Sequence, residues 1–446
     1  MNPRSAGVRR GASVILAIDA VALALVLATA PAAFVWLDGS RPSSLVAVPG
    51  PSTGSLSGGS ASPGTATPSL SPTGPSVTPV PTATITYGDG TWAILPPMPG
   101  PLWGAAAAVL EDGRVVVVGG SAGPSSTSAL ATVEVFDPGS NSWAAAAPML
   151  QARAYPAAAT LADGSVLVVG GSRNGLPLDS AERYFPDTGT WVSAGTMSAP
   201  RTQATATVLL DGRVLVVGGG SQGSPGFAST NTAEIFDPAT GTWTPTAPMS
   251  TARASDTATL LSDGEVLVTG GASTYHGPKG TVTATAEIYD PKSATWHSAA
   301  RMSVARYHHV AALLPDGRVL VAGGWALTSN SDKSLASAEI YDPATDRWTA
   351  TGSMATGRAR GSIAALPDGR VLVVDGVDPA YHVMATAEIW DSASGRWRPT
   401  GRLPTAVMWP ALAVLHDGRV LLAGGALDAG ASHETAASTI FTPPAP

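Results

Sequence analysis

The 446-residue chain has no cysteine, which excludes disulfides, cysteine-ligated zinc and thiol catalysis. Charged residues are scarce at 13%, and the formal net charge is −7, so no basic stripe is present to attract nucleic acid. No hydrolase elbow, phosphate-binding loop or paired-carboxylate spacing occurs. His276, His297, His382, His416 and His433 are scattered without ligand spacing, so no metal and no cofactor is expected. His308 and His309 are adjacent on a strand pattern, so they face opposite sides and do not chelate one ion together.

Apolar residues are plentiful at 44%, enough to bury a large core without covalent staples. They are unevenly distributed. Residues 1–10 carry Arg4, Arg9 and Arg10, and residues 11–37 then run almost wholly apolar. This reads as an export signal with its basic end in the cytoplasm. The run is long enough to span a bilayer as a helix, which needs roughly 20 residues. Asp19 within it is costly in hydrocarbon, and Pro31 follows the small-residue site Ala28-Thr29-Ala30, where it hinders cleavage. The expectation is a single-pass anchor, or a cleaved signal peptide, with the remainder extracytoplasmic. Residues 38–86 are Ser, Thr, Pro and Gly with almost no charge, which reads as a disordered linker.

Residues 87–446 repeat. An Asp-Gly turn recurs at Asp112, Asp163, Asp211, Asp263, Asp316, Asp368 and Asp417, each time ahead of a β-branched run and, in six of the seven, a glycine pair. Ten residues before each aspartate lies Leu102, Arg153, Arg201, Arg253, Arg306, Arg358 or Val407. Four residues earlier still lies Met98, Met149, Met197, Met249, Met302, Met354 or Leu403. A further six residues back lies Trp92, Trp143, Trp191, Trp243, Trp296, Trp348 or Trp397. Nine residues before six of these tryptophans stands Glu134, Glu182, Glu234, Glu287, Glu339 or Glu388. A period near 50 with four strand patterns per repeat specifies a propeller blade. Strand a precedes Asp-Gly, strand b follows it, strand c carries the glutamate and strand d the tryptophan. The arginines and glutamates recur as packing partners do, since buried charges need neutralising.

The ends of the array fix its closure. The last repeat stops at a degenerate strand c, residues 438–443, with no tryptophan of its own. The unassigned Trp92 lies ahead of the first strand a. The N-terminal strand is therefore expected to complete the last blade and remove the open sheet edges.

These landmarks resemble the kelch family. More narrowly, the repeated Met-x-x-x-Arg, DGRVLVxGG and AEIYDPxTxxW resemble the central propeller of galactose oxidase-like proteins. The resemblance implies an all-β, seven-bladed kelch-type β-propeller. RYHHVAALLPDGRV, with Tyr307 and His308, is similar to the copper-ligating segment of that enzyme. ARAYPAAATLADG, with Tyr155, is similar to the segment of its other ligand tyrosine, and Trp325 after Gly323-Gly324 is a further likeness. The enzyme's cofactor needs a cysteine cross-linked to tyrosine and a histidine from a further C-terminal domain. This chain supplies neither, so copper radical chemistry is expected to be absent.

One interval varies in length. From the second glycine to the glutamate position the separations are 14, 11, 15, 16, 15, 12 and 14 residues. That interval is the b–c loop, which shares a face with the d–a connections, and variable loops mark the binding face of a repeat protein. Two positions beyond the arginine landmark the residues are Gly104, Tyr155, Gln203, Ser255, His308, Arg360 and Trp409; one position beyond it Trp103, Tyr307 and Met408 stand out. We expect Trp103, Tyr155, Gln203, Tyr307, His308, Arg360 and Trp409 to ring a shallow pocket at the propeller mouth. Asp256, Asp378 and Asp428 lie near the same face. The function that follows is non-enzymatic binding of a glycan, a cell-surface polymer or a protein. A carbohydrate or alcohol oxidase is the alternative.

Closure gives the first testable consequence. Deleting residues 87–97 is expected to lower the melting temperature far more than deleting residues 38–80; equal melting temperatures would contradict it.

Overall fold

The computed structural model describes residues 84–87, 90–123, 128–223, 226–273, 281–327 and 332–444. The basic start, the apolar run 11–37 and the Ser/Thr/Pro/Gly stretch up to residue 83 lie outside them. The described residues contain no helix long and apolar enough to cross a membrane.

They form seven antiparallel blades of the expected four strands. Blade 1 comprises strand a, Ala106–Val109; b, Val115–Val118; c, Val133–Asp137; and d, Ser142–Ala145. Strand b is valine throughout and fully buried. Each such side chain contributes roughly 1.5–3 kcal/mol of burial. Strand a is alanine-rich in most blades, and these small residues let seven strands converge. Each strand a touches strand a of both neighbouring blades, all the way round to Ala411–Val414 of blade 7 against blade 1.

Blade 7 closes as expected. Gly90–Leu95 pairs with Ser438–Thr442 in the register Trp92↔Phe441, putting Trp92 on the aromatic ring of its partner at 4.9 Å. A further strand, Thr84–Tyr87, pairs outside Gly90–Leu95. The linker expected to run to residue 86 overlaps this strand by three residues, 84–86. The sequence TITY carries strand-forming residues, but it is too short to stand out from the Thr-rich stretch before it.

The tryptophans join blades, and they do so through their edges. Trp191 Nε1 donates to the Ala147 carbonyl of the preceding blade at 3.0 Å, and Trp243, Trp296, Trp348 and Trp397 repeat the bond at 2.7–2.8 Å. Trp143 instead donates to Ser438 Oγ of blade 7 at 3.1 Å, and that hydroxyl donates to the Pro96 carbonyl at 2.7 Å, so a serine relays the contact across the closure. Trp92 and Trp191 are buried, while the other five are half-buried.

The arginines and glutamates form five buried braces. In blade 2, Arg153 Nη1 donates to the carbonyls of Gly170 and Ser180, and Nη2 donates to Ser180 Oγ and to Glu182 Oε1 at 2.7 Å. Glu182 also accepts the amides of Leu150 and Gln151, pinning the incoming d–a connection. Arg201–Glu234, Arg253–Glu287, Arg306–Glu339 and Arg358–Glu388 repeat the pair at 2.6–2.9 Å, every arginine being at most 1% exposed. Blade 7 replaces both partners, with Val407 and Thr439. Removing both charges of a buried pair is tolerated, whereas removing one strands the other.

Arg253→Met alone is therefore expected to cost about 3–5 kcal/mol in a urea melt. Arg253→Met with Glu287→Gln should cost clearly less than the single change. A double variant less stable than the single one would contradict the brace.

Candidate functional site

The predicted pocket residues lie just beyond the braces, where the chain enters strand a. The position two residues past each brace arginine, or past Leu102 and Val407 in its place, is left-handed in all seven blades: φ is 64° at Gly104, 52° at Tyr155, 54° at Gln203, 53° at Ser255, 50° at His308, 56° at Arg360 and 54° at Trp409. Six non-glycine residues in this region would be surprising singly, since each carries a conformational cost. Their recurrence has an architectural cause. The turn lets a residue's amide reach the carbonyl of its counterpart in the preceding blade: Tyr155 to Gly104 at 2.9 Å, Gln203 to Tyr155 at 3.4 Å, His308 to Ser255 and Arg360 to His308 at 3.0 Å, and Gly104 to Trp409 at 3.1 Å. Only position 104 is glycine, and a Cβ there would lie 2.9 Å from the Tyr155 ring.

Above this backbone collar the side chains gather in two arcs. The aromatic arc is Trp103, Tyr155 and Trp409. The two indoles stack at 5.5 Å and 14°, and Tyr155 meets both edge-on at 5.3 Å. The Arg360 guanidinium lies between Trp409 and Trp325, 4.2 Å from each ring, a desolvated cation–π sandwich. Tyr307 packs on His308 at 5.2 Å and Trp325 at 5.5 Å. The polar arc is Gln203, Ser255 and His308: Ser255 Oγ donates to Gln203 Oε1 at 2.8 Å and lies 3.2 Å from His308 Nε2.

The seven expected residues thus adjoin one another, at different depths. Trp103, Tyr307 and Arg360 are buried and form the floor, and Trp103 Nε1 is fixed by the Gly123 carbonyl at 3.1 Å. Tyr155, Gln203, His308 and Trp409 are half-buried. Trp325 and Ser255 complete the arcs and were not among the expected seven. Their signals were Trp325's place after the glycine pair and Ser255's place in the seven-membered series. Leu176, Leu327, Tyr381 and Leu427 are exposed on the b–c loops of blades 2, 5, 6 and 7.

Burial holds the His308 imidazole well below its ordinary range, and the Arg360 charge lowers it further, so His308 is neutral near pH 7. His309 turns the other way, bonding Thr257 and Thr269 through Nε2; burial and then Arg306 and Arg253 push it down to about 3. Asp256 is buried, which raises it to about 6. Asp378 and Asp428 instead organise their own loops, each accepting loop amides and pairing with Nδ1 of His382 and His433 at 3.2 and 2.9 Å.

Repeat, fold and closure together define a propeller protein assembled from one recurring blade. The Kelch motif matches residues 104–150, 153–198, 201–250, 253–303 and 306–355, more than half of the chain. The chain belongs to the kelch family. It is 34% identical over 110 residues to the Kelch-like protein terF of Aspergillus terreus, covering 24% of each chain. It is 34% identical over 114 residues to alpha-scruin of Limulus polyphemus, covering 25% of this chain and 12% of that one. An F-box/kelch-repeat protein of Arabidopsis thaliana is 34% identical over 119 residues, 26% of this chain and 30% of that one. The match thus spans less than a third of each relative's length. Among solved structures, a fungal alcohol oxidase of the AA5 family in complex with copper superposes with a TM-score of 0.64 at 19% identity, covering 80% of this chain and 76% of that one. YjhT superposes with a TM-score of 0.54 at 17% identity, covering 69% and 99%. At these identities the likeness shows the fold alone.

The oxidase likeness raises the question of copper, and the residues of this mouth do not fit it. There is no cysteine to modify a tyrosine. The Arg360 cation lies against Trp409, whose ring is 6.0 Å from that of His308, and it disfavours positive charge there. His308 Nε2 already lies at hydrogen-bond distance from Ser255. Among the described residues no three His, Asp or Glu side chains converge as metal ligands.

Proposed function

We propose that the chain is a binding protein that recognises its partner on the b–c face, with the mouth at the centre of the contact. A kelch propeller is consistent with a protein-interaction role. The observation that carries the reading is the convergence of Trp103, Tyr155, Trp409, Trp325 and Arg360 beside the neutral Gln203–Ser255–His308 arc, on the face whose loops vary in length. The rest of the repeat is nearly uniform, so ligand selection falls to this face.

The chemistry supports a neutral or anionic ligand. No carboxylate belongs to either arc, His308 is uncharged, and Arg360 is the one charged side chain in them. Stacked indoles with adjoining hydrogen-bonding groups suit a flat, partly apolar group: a sugar ring of a surface polymer, or an aromatic or proline side chain of a protein. The basic start and apolar run of residues 1–37 support an extracytoplasmic placement, with residues 38–83 as spacer.

Glycan and peptide arrays probed with the purified protein test the reading. A hit is expected without turnover, and Trp409→Ala with His308→Ala should weaken it at least about tenfold, the loss of one hot-spot contact. Undiminished binding by the double variant would contradict the mouth. Copper binding with alcohol-dependent peroxide release would favour the oxidase instead.

A further inference from the structure

Blade 1 breaks the brace differently from blade 7. It keeps the acid, Glu134, but has Leu102 where five other blades have arginine. Glu134 is 4% exposed. Its Oε1 accepts the Gly100 amide at 3.1 Å, and its Oε2 has no hydrogen-bond partner among the described residues. A buried carboxylate oxygen without a partner calls for an unseen water or ion.

The surrounding acceptors are those that hold a guanidinium elsewhere. In blade 2, Arg153 bonds the Gly170 carbonyl, the Ser180 carbonyl and hydroxyl, and Glu182. The counterparts in blade 1 are Gly119, Thr132 and Glu134. Their backbone geometry is retained: Gly119 N donates to Thr132 O at 2.9 Å, as Gly170 N does to Ser180 O at 3.1 Å. Leu102 branches and ends two bonds short of where a guanidinium carbon would sit, so it cannot reach these oxygens. Thr132 is exposed, which gives the position a route to solvent.

We propose that blade 1 holds a monovalent metal cation, of the sodium or potassium class, between the Glu134 carboxylate and the carbonyl oxygens of Gly119 and Thr132. The ligand set is all oxygen, as hard cations require. A single positive charge also balances the single carboxylate, as the guanidinium does in blades 2 to 6.

The competing occupant is a proton. Burial pushes Glu134 up to about 7 from 4.5, against the pull of the Gly100 amide. No other charge offsets this: strands b and d of blade 1 and the connection 96–105 carry no titratable group, and Arg153 is turned into its own brace. On the blade 7 side, the Thr435 and Ala436 carbonyls accept the Leu102 and Met98 amides, the Thr435 hydroxyl accepts the Ala437 amide, and Glu434 is half-exposed. Without a metal, the protonated carboxyl contributes stability that is full below pH 4.5 and lost as pH rises through about 7. A bound cation removes that loss.

Thermal unfolding of the full-length protein decides between them, at about pH 8 in sodium, potassium or choline chloride of equal ionic strength. We expect a midpoint at least about 2 °C higher in sodium or potassium than in choline. Leu102→Arg, which supplies the guanidinium, and Glu134→Gln, which removes the charge, should each abolish that difference. Equal wild-type midpoints in all three salts would overturn the site and leave the proton as its occupant only below about pH 7. A metal-dependent rise that persists in Glu134→Gln would overturn it too, by placing the cation elsewhere. Glu134→Gln suffices should Leu102→Arg not fold.

Discussion

Closing a ring is the constraint on which everything else in this molecule depends. Seven sheets meet around one axis, and the last is completed by a strand from the other end of the chain. Gly90–Leu95 does this against Ser438–Thr442, and the bond from Trp143 to Ser438 carries the inter-blade pattern across the junction. The junction is held without a covalent link, so its strength rests on strand pairing and on the Trp92–Phe441 contact. The same closure gathers the seven strands a, and with them the mouth, into one place.

Within the ring, recognition surface and framework are mechanically linked. In blades 2 to 6 the buried brace pins the d–a connection, and two residues later the chain turns left-handed and carries the side chain that varies from blade to blade. The framework residues barely change from blade to blade, while the seven presented residues are all different. A repeat can therefore alter its ligand without altering its packing. On the opposite face the Asp-Gly-Arg turns at Asp112, Asp211, Asp316, Asp368 and Asp417 neutralise themselves through Asp–Arg pairs.

Much of this was legible in the residues because fixed spacing survives any local ambiguity. The tryptophan, methionine, arginine and Asp-Gly positions gave blade number, strand order and closure, and the length variation of one loop gave the face. Other features were hidden for physical reasons. The left-handed collar left no trace, because Tyr155, Gln203, His308, Arg360 and Trp409 are not residues that announce positive φ. The depth of Trp103 and Arg360 could not be read from position alone, since it depends on rings contributed by other blades. Trp325 enters the mouth from the b–c side, outside the series used to find the others. The strand Thr84–Tyr87 was lost in a run of similar residues.

Hydrogen exchange at one backbone amide tests closure most directly. The Gly104 N–H bonds the Trp409 carbonyl across the junction between blades 1 and 7, and the Tyr155 N–H makes the equivalent bond to Gly104 between blades joined in sequence. Slow exchange at Gly104, comparable to that at Tyr155, is the predicted result. Exchange at Gly104 at the rate of an open amide, with Tyr155 still protected, would mean that the array does not close.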